Sequence, residues 1–281
     1  MKCAWQLFLN LLPLWMRDQV DRHGKDTLQE LRLRLNSPPE LVCNHGIIRL
    51  QRNTSYADLQ NCINIASAYS PWSAATTAQG YITAQGGHRI GVCGEIVISD
   101  NVPKGVRKLT SICIRVAREF SGIADPTRQI CGSVLIIGCP GSGKTTLLRD
   151  MIRIHSDNGQ AISVIDERQE LFPLTTDGFA FQTGSRSDIL TGCPKNVGVD
   201  IALRCMNPDI IAMDEITAQS DCDALMRAGW CGVRLFTTAH AGSKDELFSR
   251  PLYQPIVNSN LFDYLIILSR NKHWNIERIH K

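Results

Sequence analysis

Glu30-Leu31-Arg32-Leu33-Arg34-Leu35 alternates strictly, which puts three leucines on one face of a strand and the charges on the other. Pro38-Pro39 ends that strand. From Asp58 to Tyr69 the apolar positions Leu59, Cys62, Ile63 and Ala66 share one side of a helix. Gly80 to Gln85 and His88 to Cys93 predict two strands about the Gly86-Gly87 turn, and Glu95 to Ser99 and Ser111 to Ala117 predict two more. The first half is therefore an α+β pattern with hairpins. Arg32, Arg34 and Arg89 are expected on the wet face of its sheet.

Around Gly122 to Arg128 the pattern breaks into a linker, and the rhythm then changes to strand, loop, helix. Strands are predicted at Ser133 to Ile137, Ala161 to Ile165, Asp209 to Met213 and Val233 to Thr238. Helices are predicted at Thr145 to His155, Val197 to Met206 and Cys222 to Trp230. Continuously apolar strands alternating with helices indicate a parallel sheet buried on both faces. The expectation is an α+β domain over residues 1–128 and a larger α/β domain over residues 129–281.

At the amino terminus, Cys3 to Met16 is apolar over 14 residues but is interrupted by Gln6, Asn10 and Pro13. A membrane-spanning helix needs ~20 apolar residues, so no transmembrane segment is expected. Leu7, Leu11 and Leu14 stand at helical spacing, with Pro13 redirecting the chain. The segment is expected to pack on its domain, with docking to a membrane surface or partner through Trp5, Phe8 and Trp15 as the alternative. Across 281 residues, 43% are hydrophobic and 20% charged, which excludes a disordered tail protein. The net charge of +3 demands no nucleic-acid partner. Eleven cysteines without a C-x-x-C pair indicate reduced thiols in a cytosolic protein rather than a zinc site.

Gly138-Cys139-Pro140-Gly141-Ser142-Gly143-Lys144-Thr145 matches the full phosphate-binding loop pattern, after a buried strand and before a helix. Its glycines let backbone N–H groups and a helix amino terminus face an anion. Lys144, taken as an exposed loop lysine, is expected to reach the β- and γ-phosphates of ATP, and the Thr145 hydroxyl to bind Mg²⁺; Thr146 completes the loop. Asp209 to Glu215 is an apolar strand ending in two acids at the mouth of the sheet. Asp214 is the candidate for holding Mg²⁺, and Glu215 for polarising the attacking water, a pairing that fits hydrolysis better than transfer to a second substrate. Two further strand ends carry polar groups, Asp166-Glu167-Arg168 and Thr237-Thr238-Ala239-His240. Four parallel strands ending in such residues point to one shared rim. His240, beside the phosphate loop, is expected to sense the γ-phosphate rather than bind metal.

The order GCPGSGKTTLLRD, VIDERQEL, IALRCMNPDIIAMDEI and TTAHAGS resembles the secretion ATPases of type II and type IV systems and the pilus motors. Within that superfamily the stage III sporulation protein AA family resembles it most, and LRLRLNSPPEL, GYITAQGGHRIGVCGEIV and GVRKLTSICIRVAREFSG support this over roughly Leu28 to Ile279. The resemblance implies a RecA-like ATPase domain behind a smaller α+β domain, assembled as a homo-oligomeric ring, a hexamer. It implies a protein that powers or assembles a channel between mother cell and forespore, with the membrane proteins of that channel as partners. Its place would be the cytoplasm, with a peripheral position at the mother-cell membrane as a further option. It also implies that arginines from elsewhere complete the nucleotide site, for which Arg115 at one end of the Ser111–Ala117 strand and Arg118 just beyond it are the candidates.

The chain departs from pilus motors in two ways. Either Asp166 or Glu167 could be the aspartate-box acid, and the second acidic strand ends Asp-Glu where pilus motors often have Gly-Glu. Two other functions compete. A nucleic-acid motor would show aromatic-interleaved basic loops, and Lys104-Gly105-Val106-Arg107-Lys108 lacks aromatics. A nucleotide-locked structural ring would not need Lys144, Thr145, Asp214 and Glu215 together.

Overall fold

The alternating leucines build β1 (Leu28–Arg34), with Leu31 and Leu33 fully buried and Arg32 and Arg34 facing solvent, where they pair with Glu30 and Glu40. β1 lies at the centre of an antiparallel sheet in a computed structural model that describes residues 1–67, 80–99 and 101–279. The chain forms two compact units. The first comprises Met1–Glu119 and Pro173–Ala180, the second Phe120–Phe172 and Phe181–Lys281.

In the first unit the strands β2 (Glu40–Cys43), β3 (Gly46–Arg49), β4 (Tyr81–Thr83), β5 (Arg89–Ser99) and β6 (Val102–Arg115) join β1 in the order β3-β2-β1-β6-β5-β4. β1 pairs with β6 in a register that sets Leu31 opposite Ile114 and Leu33 opposite Ile112. The two strands expected at His88–Cys93 and Glu95–Ser99 are one strand, because bulges after Cys93, Glu95 and Val97 carry the ladder past the interruption at Gly94. A side chain on Gly94 would run into the Lys108 carbonyl, so that strand crossing needs glycine there.

Pro13 separates α1 (Trp5–Asn10) from α2 (Leu14–Asp21). The change of axis alters which residues face inward. Phe8, Leu12, Met16 and Val20 are fully buried, whereas Leu7 and Leu14 of the expected stripe are exposed, Leu14 by 79%. α3 (Gly24–Thr27) is a single turn. α4 (Tyr56–Ala66) starts at a Ser55–Asp58 capping box and buries Leu59, Cys62 and Ala66. Its expected end at Tyr69 lies outside the described residues.

His88 is fully buried in this unit. Its Nε2 lies 3.0 Å from the Ala4 carbonyl, and its Nδ1 accepts from the Ala117 N–H at 3.1 Å. Two contacts of that kind define the Nε2–H tautomer. Burial holds the imidazole down at about 4, opposed only by the bond to Ala4.

The second unit's sheet runs β11-β8-β12-β13-β7-β14-β15. Its strands are β7 (Val134–Gly138), β8 (Ile162–Asp166), β11 (Ser187–Thr191), β12 (Ile210–Met213), β13 (Arg234–Ala239), β14 (Tyr264–Leu268) and β15 (Trp274–Arg278). All neighbours pair in parallel except the edge strand β15. β7, β8 and β12 are buried along their whole length, as expected of strands covered on both faces. Helices α5 (Lys144–Asp157), α6 (Lys195–Cys205) and α7 (Gln219–Trp230) cover the sheet, and α8 (Lys244–Ser249) and α9 (Gln254–Asn258) precede β14.

Gly122 to Arg128, expected to be linker, belongs to this unit, which begins at Phe120. The Ala124 N–H donates to the buried Asp150 carboxylate of α5 at 2.8 Å, and His155 Nε2 meets the Thr127 carbonyl at 3.0 Å. The first unit's amino-terminal segment therefore runs to Glu119, ahead of the boundary expected near residue 129. A short hairpin, β9 (Leu174–Thr175) with β10 (Gly178–Phe179), leaves the second unit's chain and belongs to the first.

Candidate functional site

β7 runs into the phosphate loop, and the loop's backbone explains its glycines. Gly141 and Gly143 have φ of 75° and 107°, a region costly for any residue with a Cβ, and Gly143 is the residue from which α5 starts. A Cβ on Gly138 would lie 2.6 Å from Ser142 Oγ and 2.8 Å from the Leu268 carbonyl. The Ser142 hydroxyl is buried with no hydrogen-bond partner. An unmatched buried hydroxyl donor in a glycine-rich loop at the start of a helix fits an anionic ligand.

Lys144 is not the exposed loop lysine expected from the sequence. It is 7% exposed, and its Nζ donates to the carbonyls of Gly138 (2.9 Å) and Cys139 (3.3 Å) and to His240 Nδ1 (3.1 Å). Burial lowers the ammonium's pKa, and the Asp214 charge opposes that shift. His240 stands at the end of β13, the parallel neighbour of β7. Its Nε2 lies 2.5 Å from Glu215 Oε1. Because Nδ1 accepts from an ammonium, the proton must sit on Nε2 and point at the Glu215 carboxylate. One imidazole thus connects the phosphate-loop lysine to the second acid of the β12 end.

Asp214 follows β12. Its Oδ1 accepts from Thr145 Oγ1 at 3.5 Å and from Thr238 Oγ1 at 3.4 Å. Burial, then the charges of Glu170 and Asp166, push its carboxyl up to about 7, with Lys195 and Arg149 opposing. A hydroxyl and a carboxylate side by side are hard oxygen donors of the kind Mg²⁺ takes. Among the described residues no three His, Cys, Asp or Glu side chains gather as a metal cage. Mg²⁺ characteristically completes its shell with phosphate and water, so this pair fits it.

Beyond Asp214 opens a solvent-connected basin of about 330 Å³ lined by Asp166, Glu167, Arg168, Glu170, Lys195, Asp214, Glu215 and Thr217. The acids of the β8 end are not equivalent. Asp166 is 1% exposed and accepts the backbone N–H groups of Glu170 (2.8 Å), Leu171 (3.0 Å) and Phe172 (2.8 Å). Its carboxylate folds the loop back on itself. Arg149 of α5 holds the other side of that loop, donating to the Leu171 and Glu170 carbonyls at 2.5 and 2.9 Å and stacking over Phe181. Glu167 lines the basin, and so does Glu170, which the sequence reading passed over. Its signal was a third acid in the DERQE segment, but only the turn set by Asp166 brings it round to Asp214.

A second, solvent-open pocket, enclosing about 770 Å³ of space that is partly bulk solvent, flanks the phosphate loop. Phe120, Ile123, Leu147, Leu268 and Trp274 give it an apolar, aromatic wall beside Ser142, Gly143 and Thr146. Aromatic side chains next to a phosphate loop suit a stacked planar ring. Phe120 and Trp274 stand far from the loop in sequence and were not legible as part of the site.

The arginines expected to complete a site hold other positions within the first unit. Arg115 is exposed and pairs with Glu30 at 3.3 Å. Arg118 donates from Nε to the Lys25 carbonyl at 2.8 Å and from its terminal nitrogen to the Leu28 carbonyl. All eleven cysteines are free thiols. No helix among the described residues is long and apolar enough to cross a membrane.

Comparison with known proteins agrees with this arrangement. The family model described as Sporulation stage III, protein AA matches residues 6–280. Stage III sporulation protein AA of Bacillus subtilis (strain 168) is 34% identical over 256 residues, covering 87% of this chain and 83% of its own. Among solved structures, the ATPase DotB of Legionella pneumophila aligns over 95% of this chain and 80% of its own, with a TM-score of 0.55 at 17% identity. The pilus retraction motor PilT with bound ADP aligns over 90% of this chain and 76% of its own, with a TM-score of 0.59 at 17% identity. At that identity the structures establish a shared fold, the RecA-like α/β fold of the secretion ATPases. The sequence match, running over nearly the whole length of both proteins, establishes more: this chain belongs to the stage III sporulation protein AA family.

Proposed function

We propose that this protein binds and hydrolyses ATP as a secretion-type ATPase that powers or assembles a sporulation-associated channel between mother cell and forespore. It would act as a homo-oligomeric ring, a hexamer, beside the membrane proteins of that channel. The observation that carries the reading is the hydrogen-bonded series Lys144–His240–Glu215 beside Thr145 and Asp214. It joins phosphate-binding, metal-binding and water-activating chemistry along adjacent parallel strand ends.

Thr145 and Asp214 would hold a Mg²⁺ ion, which supplies charge neutralisation on the β- and γ-phosphates when bound. Lys144 would leave the Gly138 and Cys139 carbonyls for the γ-phosphate. Phe120 and Trp274 would stack the base. Glu215, oriented by the Nε2–H of His240, would take a proton from water as that water attacks the γ-phosphorus and the bond to the ADP oxygen breaks. His240 would register the γ-phosphate through the loss of its bond to Lys144. A second assignment of the base is favoured by the basin itself, since Glu170 faces it and contributes the largest of the charges acting on Asp214.

The test is steady-state ATP hydrolysis across a range of protein concentrations, with Lys144→Ala, Glu215→Gln, Glu167→Gln and Glu170→Gln beside the wild type. Turnover should rise sharply with concentration, as a ring with shared sites requires. Lys144→Ala should lose nucleotide affinity. Glu215→Gln should bind ATP while turnover falls by about 10²–10⁴. If Glu170→Gln or Glu167→Gln alone traps ATP, the base belongs to the loop after β8. A wild-type protein that binds ATP but never hydrolyses it would leave a nucleotide-locked ring and end the hydrolytic reading.

A further inference from the structure

Lys195 is a buried cation that the mechanism above does not use. It opens α6, where it is opposed twice. A positive charge in the first turn of a helix meets the positive end of the helix dipole, and a side chain only 8% exposed has given up its hydration. Gly198 brings it to the rim, because any Cβ there would lie 2.6 Å from Ile165 Cγ2 of β8 and push the start of α6 away.

At the rim, three acceptors surround its ammonium. They are the Glu215 carbonyl, Thr217 Oγ1 at 3.4 Å and Asp221 Oδ2 at 3.5 Å. Asp221 is itself committed, accepting the Thr217 N–H (2.9 Å), the Thr217 hydroxyl (3.1 Å) and the Ala218 N–H (3.1 Å) at the start of α7. Lys195 thus donates two hydrogen bonds, to the Glu215 carbonyl and the Thr217 hydroxyl, and pairs its charge with Asp221. Its neighbours in the basin are the acids Asp166, Glu167, Glu170, Asp214 and Glu215 and the cation of Arg168.

We propose that Lys195 is a positioning residue, which fixes the Glu215–Ala218 turn by its backbone and by Asp221 so that the Glu215 side chain faces the basin and His240. Glu215 is then held at both ends, its backbone carbonyl by Lys195 and its carboxylate by His240. A simple surface ion pair would not need the carbonyl contact. The proposal rests on the ATPase reading for its kinetic consequence but not for its structural one, which allows the two to fail separately.

The experiment uses the full chain with Lys195→Met, which keeps the side chain's length without donors, and Lys195→Arg, which keeps charge and donors. Three readouts are needed: ATP turnover, affinity for a fluorescent ATP analogue with Mg²⁺, and hydrogen exchange of peptides covering residues 214–222. Lys195→Met should bind the analogue within roughly threefold of wild type while kcat falls by about 10²-fold, the scale of a 1 Å misplacement of a reacting group. Exchange should quicken at Thr217 and Ala218 with the rest of the unit unchanged, and Lys195→Arg should recover most of both losses. If Lys195→Met does not fold, Lys195→Gln, which keeps two donors without the charge, is judged by the same three measures. Turnover within twofold of wild type, an equal loss of affinity and kcat, or exchange quickened throughout the unit would each overturn the proposal. If the wild type does not hydrolyse ATP, the enzymatic reading fails while the exchange result still decides whether Lys195 fixes the turn.

Discussion

Mild acid should weaken the first unit through a single side chain, His88. The imidazole is fully buried, its Nε2–H donates to Ala4 and its Nδ1 accepts from Ala117, so it ties the entry of α1 to the end of β6 only while neutral. Protonation would put a second N–H against the Ala117 N–H. The folded-state pKa is about 4 against an ordinary 6.5. A depressed histidine contributes its full stability above the unfolded value, loses it as pH falls from about 6.5 towards 4, and adds nothing further below that. Linkage makes the loss ~2 kcal/mol between about pH 7 and pH 5, with a limit of roughly 3 kcal/mol. Glu30 and Asp58 have lowered values and shed their own contribution in more acid solution, so within the first unit the window above about pH 5 isolates His88. In the second unit His155, held down at about 4 by burial, and Asp214, pushed up to about 7, also titrate in that window, and the exchange readout separates them from His88. The assay is urea unfolding across that window, with hydrogen exchange on peptides from residues 1–119 to assign the loss to this unit. His88→Gln can still donate to Ala4 but cannot become charged. It should start less stable near pH 7, having lost the ring contact with Phe8, and should show a shallower dependence on pH. Wild type and variant losing stability in parallel between pH 7 and 5 would refute the argument.

Asp166→Asn replaces one of the two oxygens that accept three backbone N–H groups with a donor; we expect about 1–3 kcal/mol of lost stability and faster exchange at Glu170 to Phe172. Unchanged exchange there, with turnover abolished, would make Asp166 a chemical rather than a loop-forming acid. Arg118→Ala frees the Lys25 and Leu28 carbonyls and should lower the stability of the first unit by about 1–3 kcal/mol, whereas exposed Arg115→Ala should change it by less than about 1 kcal/mol. Turnover measured on the folded fraction settles whether either also acts as a finger: a loss at unchanged thermal midpoint would say that it does.

The parts of this fold that are legible in the sequence are those where one local rule decides. Three buried parallel strands announce themselves as apolar runs because both of their faces are covered, and the glycines of the phosphate loop mark positive-φ turns and a close approach to Leu268. Patterns that cross a change of axis mislead. Leu7, Leu11 and Leu14 share a helical spacing, yet Pro13 breaks the helix before Leu14, and only Leu11 of the three is buried, beside Phe8, Leu12 and Met16, while Leu7 and Leu14 are exposed. β2, β3, β9, β10, β11, β14 and β15 are not among the strands expected from the sequence: β3, β11 and β15 are partly exposed edge strands without a clean alternation, whereas β14 is a largely buried apolar run that the pattern left unread.

The candidate site divides along the same line. Lys144, Thr145, Asp214 and His240 each follow a strand or loop whose place in the sheet is written in its own residues, so their convergence could be expected. The DERQE segment could not be resolved that way. Order along the chain leaves Asp166 and Glu167 both open as the acid, and the physical question is which carboxylates remain after the backbone has been satisfied. Three N–H groups claim Asp166, and the turn they form carries Glu170 back towards Asp214, four positions beyond the residue that organises it. Lys195 poses the same problem in reverse. By local rules a lysine opening a helix is a poor choice, and only the Glu215 carbonyl and Asp221, 20 and 26 positions further on, make it a good one. Residues that break a local preference without a local compensation are where long-range function should be sought first.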